Sequence, residues 1–296
     1  MIELEEHNFI VYQFGKVAST SIVNSLNRLP DVAAHQCHFL GVKNFQNAVG
    51  TLSNPGLDDY FYEHLEGQLT HNLRLNRLAV RFKAGLVAQR QLHFVSIARN
   101  PVDYARSALL QDIEGFINNF VTVWGRGDLP EEEFVIESVQ KLLELYIEFL
   151  ESADVAGMQN MAPVPKFLEA RGYREETLRS LSQMVQLMHR PLVWFENQLC
   201  DYLDVGLEEI ALNSTGILYK DLGWSDVYLF KYEELEKGVR KVVADLGHSG
   251  NFAFSRDNES GKKKYSQILS QCFSEDYSDQ IQALQRASSY CKAFGY

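Results

Sequence analysis

Three groups of side chains in this chain have the types and spacing to grip an anion and move a proton beside it. The first is Lys16 with Val17, Ala18, Ser19, Thr20 and Ser21, inside the segment NFIVYQFGKVASTSIVNSL. Its apolar start, Phe9–Phe14, ends at Gly15-Lys16, and a small-residue turn then opens the helix-like IVNSL. A strand that empties through a tight turn into a helix presents backbone N–H groups at the positive end of the helix dipole. With a lysine and hydroxyls alongside, that is a place for a phosphate-like group. The second group is Arg99 and Ser107 in IARNPVDYARSAL. Arg99 ends an apolar run, and Ser107 follows about two helical turns later, so an arginine fork and a hydroxyl can share a second phosphate. The third is the pair His35 and His38 in HQCHFL, the side-chain type whose intrinsic titration suits a base near neutral pH.

The lysine turn differs from a nucleoside-triphosphatase loop. That loop needs GxxxxGK followed by Ser or Thr, but here Ile10 stands at the first glycine position and Val17 follows the lysine. The hydroxyl that would hold magnesium is therefore missing, and no metal is expected. The glycine pattern of a dinucleotide site is absent too. Alone, the segment also admits a plain strand–turn–helix with Ser/Thr caps as the lesser reading; the Arg99 group strengthens the case for a ligand.

The elements that must carry these groups follow from pattern. Phe9–Phe14, a short stretch within Asp31–Leu40, Leu92–Ala98 and Val227–Tyr232 read as strands. Leu92–Ala98 is continuously apolar but for His93 and Ser96, as suits a sheet covered on both faces. Asp58–Arg90 reads as helical, Asn100-Pro101 as an N-cap followed by a first-turn proline, and residues 131–205 as mostly helix with a break at Pro191. Leu235–Leu246 closes the series as another helix. Strands alternating with helices predict an α/β fold, three-layer α/β/α around a central parallel sheet, in a single domain over 1–296 with a helical insertion at about 110–210.

Composition narrows the partners. Apolar residues make up 46% of 296, enough for a sizeable core, and the formal charge of −11 argues against a general nucleic-acid binder. Cys37, Cys200, Cys272 and Cys291 lie far apart without a CxxC pair, which favours neither zinc nor a disulfide framework. With no signal-peptide pattern and no apolar run near the length of a membrane span, a cytoplasmic setting is expected. The sequence carries no signal for an oligomeric state.

The first two groups match, in order and spacing, the cofactor signatures of the sulfotransferase superfamily. GKVASTSI resembles that family's 5′-phosphosulfate loop, and ARNPVDYARS resembles its 3′-phosphate motif, with Arg99 and Ser107 at the family's separation. DVYLFKYEELEKGVRKVVADLG, Asp226–Gly247, is similar to the late strand–helix segment. The KVASTS loop, the later WFENQL and the basic stretch near the C-terminus resemble carbohydrate-modifying and bacterial capsular-polysaccharide-type members. The loop tryptophan of the cytosolic phenol enzymes is absent.

The resemblance implies a P-loop-like fold and 3′-phosphoadenosine 5′-phosphosulfate (PAPS) as sulfuryl donor, with 3′,5′-ADP (PAP) as product. It implies that Lys16 neutralises charge on the bridging oxygen and that Val17, Ala18, Ser19, Thr20 and Ser21 hold the 5′-phosphate. Arg99 and Ser107 would hold the 3′-phosphate. Some carbohydrate sulfotransferases carry a catalytic histidine in a His-x-His stretch; here the spacing is His-x-x-His, so His38 is favoured and His35 stays open, with Glu63 and His64 as lesser alternatives. In SRDNESGKKKY the family's late basic loop points to Lys262 and Lys263 as further cofactor contacts, although a solvated basic turn reads the same. The acceptor implied is a hydroxyl on a glycan or other small molecule. A non-catalytic nucleotide-binding scaffold and a nucleotide kinase are the competing readings. Trp194, Phe195 and the stripe Leu142, Tyr146, Phe149 are expected in the core, and Asp103 at a helix dipole.

Overall fold

The computed structural model describes residues 2–15, 17–53, 59–158, 160–212, 217–248, 253–254 and 265–296. In chain order the strands are β1 (His7–Tyr12), β2 (Val32–Cys37), β3 (Gln91–Ala98), β4 (Ala211–Leu212), β5 (Leu218–Asp221) and β6 (Asp226–Lys231). The helices are α1 (Ser19–Leu26), α2 (Val42–Leu52), α3 (Asp59–Lys83), α4 (Pro101–Trp124), α5 (Glu131–Ser152), α6 (Pro163–Ala170), α7 (Glu175–Trp194), α8 (Asp201–Leu203), α9 (Leu235–Asp245), α10 (Ser266–Cys272), α11 (Glu275–Gln285) and α12 (Ser289–Phe294). The chain divides into two compact units: Met1–Ala98 with Gln198–Asp257, and Arg99–Asn197 with Asn258–Tyr296.

The first unit is α/β. Its six strands lie in the order β2-β1-β3-β6-β5-β4. β2, β1, β3 and β6 run parallel, whereas β5 and β4 are antiparallel additions at one edge. Phe9, Ile10, Val11 and Tyr12 are fully buried, and so is every residue of β3 after Gln91. Such uninterrupted burial is what a central parallel strand requires. The outer edge of β2 is satisfied by side chains: Asn27 exchanges two hydrogen bonds with the backbone of Ala34, at 3.0 and 2.7 Å, and His71 Nε2 donates to the Gln36 carbonyl at 3.2 Å. An edge paired in this way does not template further strands.

The second unit is helical. Asn100 caps α4 through Oδ1, which accepts from the backbone N–H groups of Val102 and Asp103 at 2.9 and 3.3 Å, with Pro101 in the first turn. Asp103 sits in that turn and pairs with Arg106 at 2.8 Å. Leu142, Tyr146, Phe149, Trp194 and Phe195 are core residues. Burial drives the pKa of His189 down to about 3, so it stays neutral and accepts from the Tyr146 hydroxyl at 3.1 Å, while that hydroxyl accepts from Gln285 at 2.9 Å.

Several boundaries differ from pattern. β1 starts and stops two residues early; Gln13 still donates its backbone N–H to the Cys37 carbonyl at 3.1 Å while its side chain turns onto the following loop. α7 continues through Pro191 to Trp194 and passes into a π-helical segment, Phe195–Cys200. Pro191 is itself buried, and packing of α7 against α4 holds a helix that local preference would end. β4, of two residues, and β5, of four, are too short for a periodicity to register.

Candidate functional site

The sheet order has a consequence for where ligands bind. From β1 the chain passes through α1 to β2 on one side; from β3 the sheet continues to β6 on the other. The carboxyl ends of β1 and β3 therefore flank a topological switch point, where open α/β sheets bind ligands. The turn after β1 begins there, and Arg99 is the residue that follows the last position of β3.

The turn is built for backbone contact. Gly15 has φ +92°, and Ala18, the residue before α1, takes the left-handed conformation with φ 59° and ψ 27°. Left-handed geometry at a non-glycine residue carries strain, and such strain gathers at ligand clamps. The Ala18 carbonyl accepts from Ile22 at 3.1 Å, which starts the helix. α1 has no side-chain cap hydrogen bond at its N-cap residue and no acidic residue in its first turn. Val17, Ser19 and Ser21 are buried, Ala18 is half-buried and Thr20 is exposed.

Gln13, wholly buried, joins this turn to the next strand. Its Oε1 accepts from the Gly15 backbone N–H. Its Nε2 donates to Ser19 Oγ at 3.0 Å and lies 3.4 Å from His38 Nδ1. His38 stands just past the end of β2, half-buried, with Nδ1 3.2 Å from the Gln13 carbonyl. A carbonyl only accepts, so Nδ1 carries the proton in this arrangement. Nε2 then holds the lone pair, and Gln36 Nε2 donates to it at 3.1 Å.

His35 is placed differently. It pairs in register with Ile10, inside the strand, and its ring meets that of His71 at 5.9 Å. Burial first, and His71 second, lower its pKa, and its Nε2 is buried with no hydrogen-bond partner among the described residues. His64 is exposed on α3, with Gln68 at 2.9 Å, and Glu63 is exposed beside it. The structure thus brings His38, and neither His35 nor His64, against the turn.

In the second unit, Arg99 is fixed through its main chain. Its N–H donates to the Tyr290 hydroxyl at 2.8 Å, and that hydroxyl donates to the Arg99 carbonyl at 2.7 Å. Tyr290 is 1% exposed, so the clamp is rigid. The side chain is half-buried, and Ser107 is half-buried two turns along the same helix that begins at Pro101. Lys16, Lys262 and Lys263 lie outside the described residues.

Pattern reading missed Gln13 and Gln36. The signal for Gln13 was there: one amide side chain inside the apolar run Phe9–Phe14, two residues before Gly15. Gln36 carried none, since a glutamine on an edge strand is ordinary. Among the described residues no cluster of three metal-ligating side chains occurs, and no helix is long and apolar enough to cross a membrane. The chain matches no family model, no curated protein and no solved structure.

Proposed function

We propose that this chain is a sulfotransferase of P-loop-like, three-layer architecture, using PAPS and an acceptor hydroxyl, with a carbohydrate as the acceptor class. The observation that carries the reading is the turn after β1: a helix start with no side-chain cap and a left-handed Ala18, with the buried Gln13 linking Gly15, Ser19 and the half-buried His38 at a switch point. The donor set fits a phosphate group, since it offers amides and hydroxyls with no carboxylate in the first turn.

Bound there, PAPS would supply the sulfuryl group for transfer to the acceptor hydroxyl, with PAP as the leaving group. The amides and hydroxyls of Val17–Ser21 hold the 5′-phosphate. Lys16 neutralises charge that builds on the bridging oxygen, the type of electrostatic help that dominates transfers of this kind. Arg99 and Ser107 grip the 3′-phosphate, and a residue of the basic stretch, Lys262 or Lys263, adds to that charge. His38 Nε2 accepts the proton of the acceptor hydroxyl once Gln36 swings aside, and the Gln13 carbonyl then stabilises the imidazolium through Nδ1–H.

Thermal unfolding tests the reading. 3′,5′-ADP at about a hundred times its Kd should raise Tm by roughly 5 °C without magnesium, because a ligand at that excess adds about 2.7 kcal/mol. 5′-AMP at the same concentration should do far less. Equal shifts from the two nucleotides would remove the 3′-phosphate assignment. A shift by 3′,5′-ADP without transfer to any hydroxyl in a broad glycan screen would leave a nucleotide-binding scaffold.

A further inference from the structure

Four arginines converge on a cavity of about 530 Å³ at the amino end of the sheet. Arg74, Arg77 and Arg81 lie along one stripe of α3, three or four residues apart, and Arg90 immediately precedes β3. Arg90 Nη1 donates to the Leu4 carbonyl at 2.6 Å, which fixes the N-terminal segment as one wall. Ile2, Leu4 and the buried Leu78 make the remaining surface apolar.

None of the four guanidinium groups pairs with a carboxylate among the described residues, in a chain whose formal charge is −11. Like charges at this spacing on a helix repel, each pair costing a few tenths of a kcal/mol. Nothing described within the chain relieves that repulsion, although carboxylates are plentiful elsewhere. A planar fork suits an oxyanion in two-point contact, and the apolar wall suits a hydrocarbon or aromatic body. The volume lies within the range of small-molecule sites. Leu4 and Arg90 precede β1 and β3, whereas the turn with Gln13 follows β1, so the two sites stand at opposite ends of one sheet.

We propose that this cavity binds a soluble small molecule carrying at least one phosphate, sulfate or sulfonate group on an apolar body, as a site separate from the one after β1. The probe is 8-anilinonaphthalene-1-sulfonate, whose fluorescence rises when it enters an apolar site. With the full chain, one saturable site should appear, displaced by pyrophosphate and weakened by added salt. Arg77→Ala with Arg81→Ala should weaken that binding about tenfold or more, since charge-assisted hydrogen bonds are each worth enough for such a loss. Arg77→Lys with Arg81→Lys should fall between, keeping charge but losing the fork. These variants should keep the wild-type Tm and the wild-type Tm response to 3′,5′-ADP, so failure here is separable from failure of the sulfotransferase reading. Unchanged affinity in the double alanine variant, or equal binding of the uncharged dye Nile red, would overturn the proposal. Capture by phosphatidic acid vesicles without saturable binding of the soluble sulfonate would also overturn it, in favour of a membrane surface.

Discussion

The two ends of one mostly parallel sheet each hold a hydrogen-bonded histidine, in opposite surroundings. At the amino end His93 is 1% exposed, stacks on Phe9 at 4.6 Å and lies 3.1 Å from Asp226 Oδ2. That approach is an electrostatic contact rather than an aligned hydrogen bond. Asp226 also accepts from the Tyr219 hydroxyl at 2.7 Å, and His93 Nε2 lies 3.3 Å from His7 Nδ1. Burial pushes the Asp226 pKa up, but His93 and Tyr219 outweigh it and hold the carboxyl below its usual range. At the carboxyl end the half-buried His38 meets the side chains of Gln13 and Gln36 and the Gln13 carbonyl. The histidine–aspartate pair looks more like catalytic machinery, yet its ring is sealed. Access and a displaceable partner are what the proposed site has and the sealed His93 ring lacks.

The largest expected effect separates the two ends most sharply. Lys16→Ala should lower sulfuryl transfer about a thousandfold, the scale on which one transition-state charge partner is lost, while Tm stays within a degree or two. His93→Ala should do the reverse. Truncating a sealed ring costs about 2–4 kcal/mol, so Tm falls by several degrees, and turnover per folded molecule stays at the wild-type value. A loss of turnover in folded His93→Ala would erase the contrast between the ends.

Next in size is the proton acceptor. His38→Ala should cut kcat by a factor of about 100 or more and leave the Tm response to 3′,5′-ADP intact. His35→Ala should leave kcat near wild type. If the two variants exchange these outcomes, the base belongs inside β2, and the Gln13 connection is only structural.

How much of this was legible in sequence depends on what fixes each feature. The continuous run Leu92–Ala98 announced a central strand because burial on both faces needs no alternation. Asn100-Pro101 announced the start of α4 because capping is local chemistry. The turn Val17–Ser21 was legible for the same reason. The amino-end cluster was not: His7, His93, Tyr219 and Asp226 are spread over more than two hundred residues of sequence and meet only through strand register. The four arginines were hidden likewise, three on α3 among residues that read as an ordinary mixed-charge helix and one in a loop. Pro191 misled because a proline is a local signal, whereas burial of its ring is a tertiary fact.

Gln13→Ala gives a smaller and more diagnostic effect. The variant leaves Ser19 and the Gly15 N–H without their buried partner, so about 1–2 kcal/mol of stability should be lost. The informative readout is a split: 3′,5′-ADP should bind several-fold more weakly, and the pH dependence of kcat should shift as His38 loses one of its neighbours. Gln13→Glu keeps the acceptor for Gly15 but places a negative charge beside the turn, and should weaken 3′,5′-ADP further than alanine does. A merely structural glutamine would lower Tm in both variants and move neither of these quantities.

The smallest effect concerns acid at the amino end. The pKa of His7 is lowered, first by burial and then by His93, against the pull of Glu6. A histidine whose pKa is depressed on folding takes up its proton more readily in the unfolded chain. Its contribution to stability is therefore complete above the unfolded value of about 6.5 and declines as pH falls through the interval down to the folded value. His7→Gln should flatten the loss of Tm between pH 6.5 and 5 relative to wild type, slightly, since much of the ring is solvated. The deeply buried His189 contributes a steeper decline with the same sign over the wider interval down to about pH 3, at up to about 1.4 kcal/mol per pH unit. The comparison is therefore cleanest in a His189→Gln background, where the residual slope reports the amino end of the sheet. An unchanged slope on adding His7→Gln there would mean that His7 titrates as it does in the unfolded chain and that its contact with His93 carries no electrostatic weight.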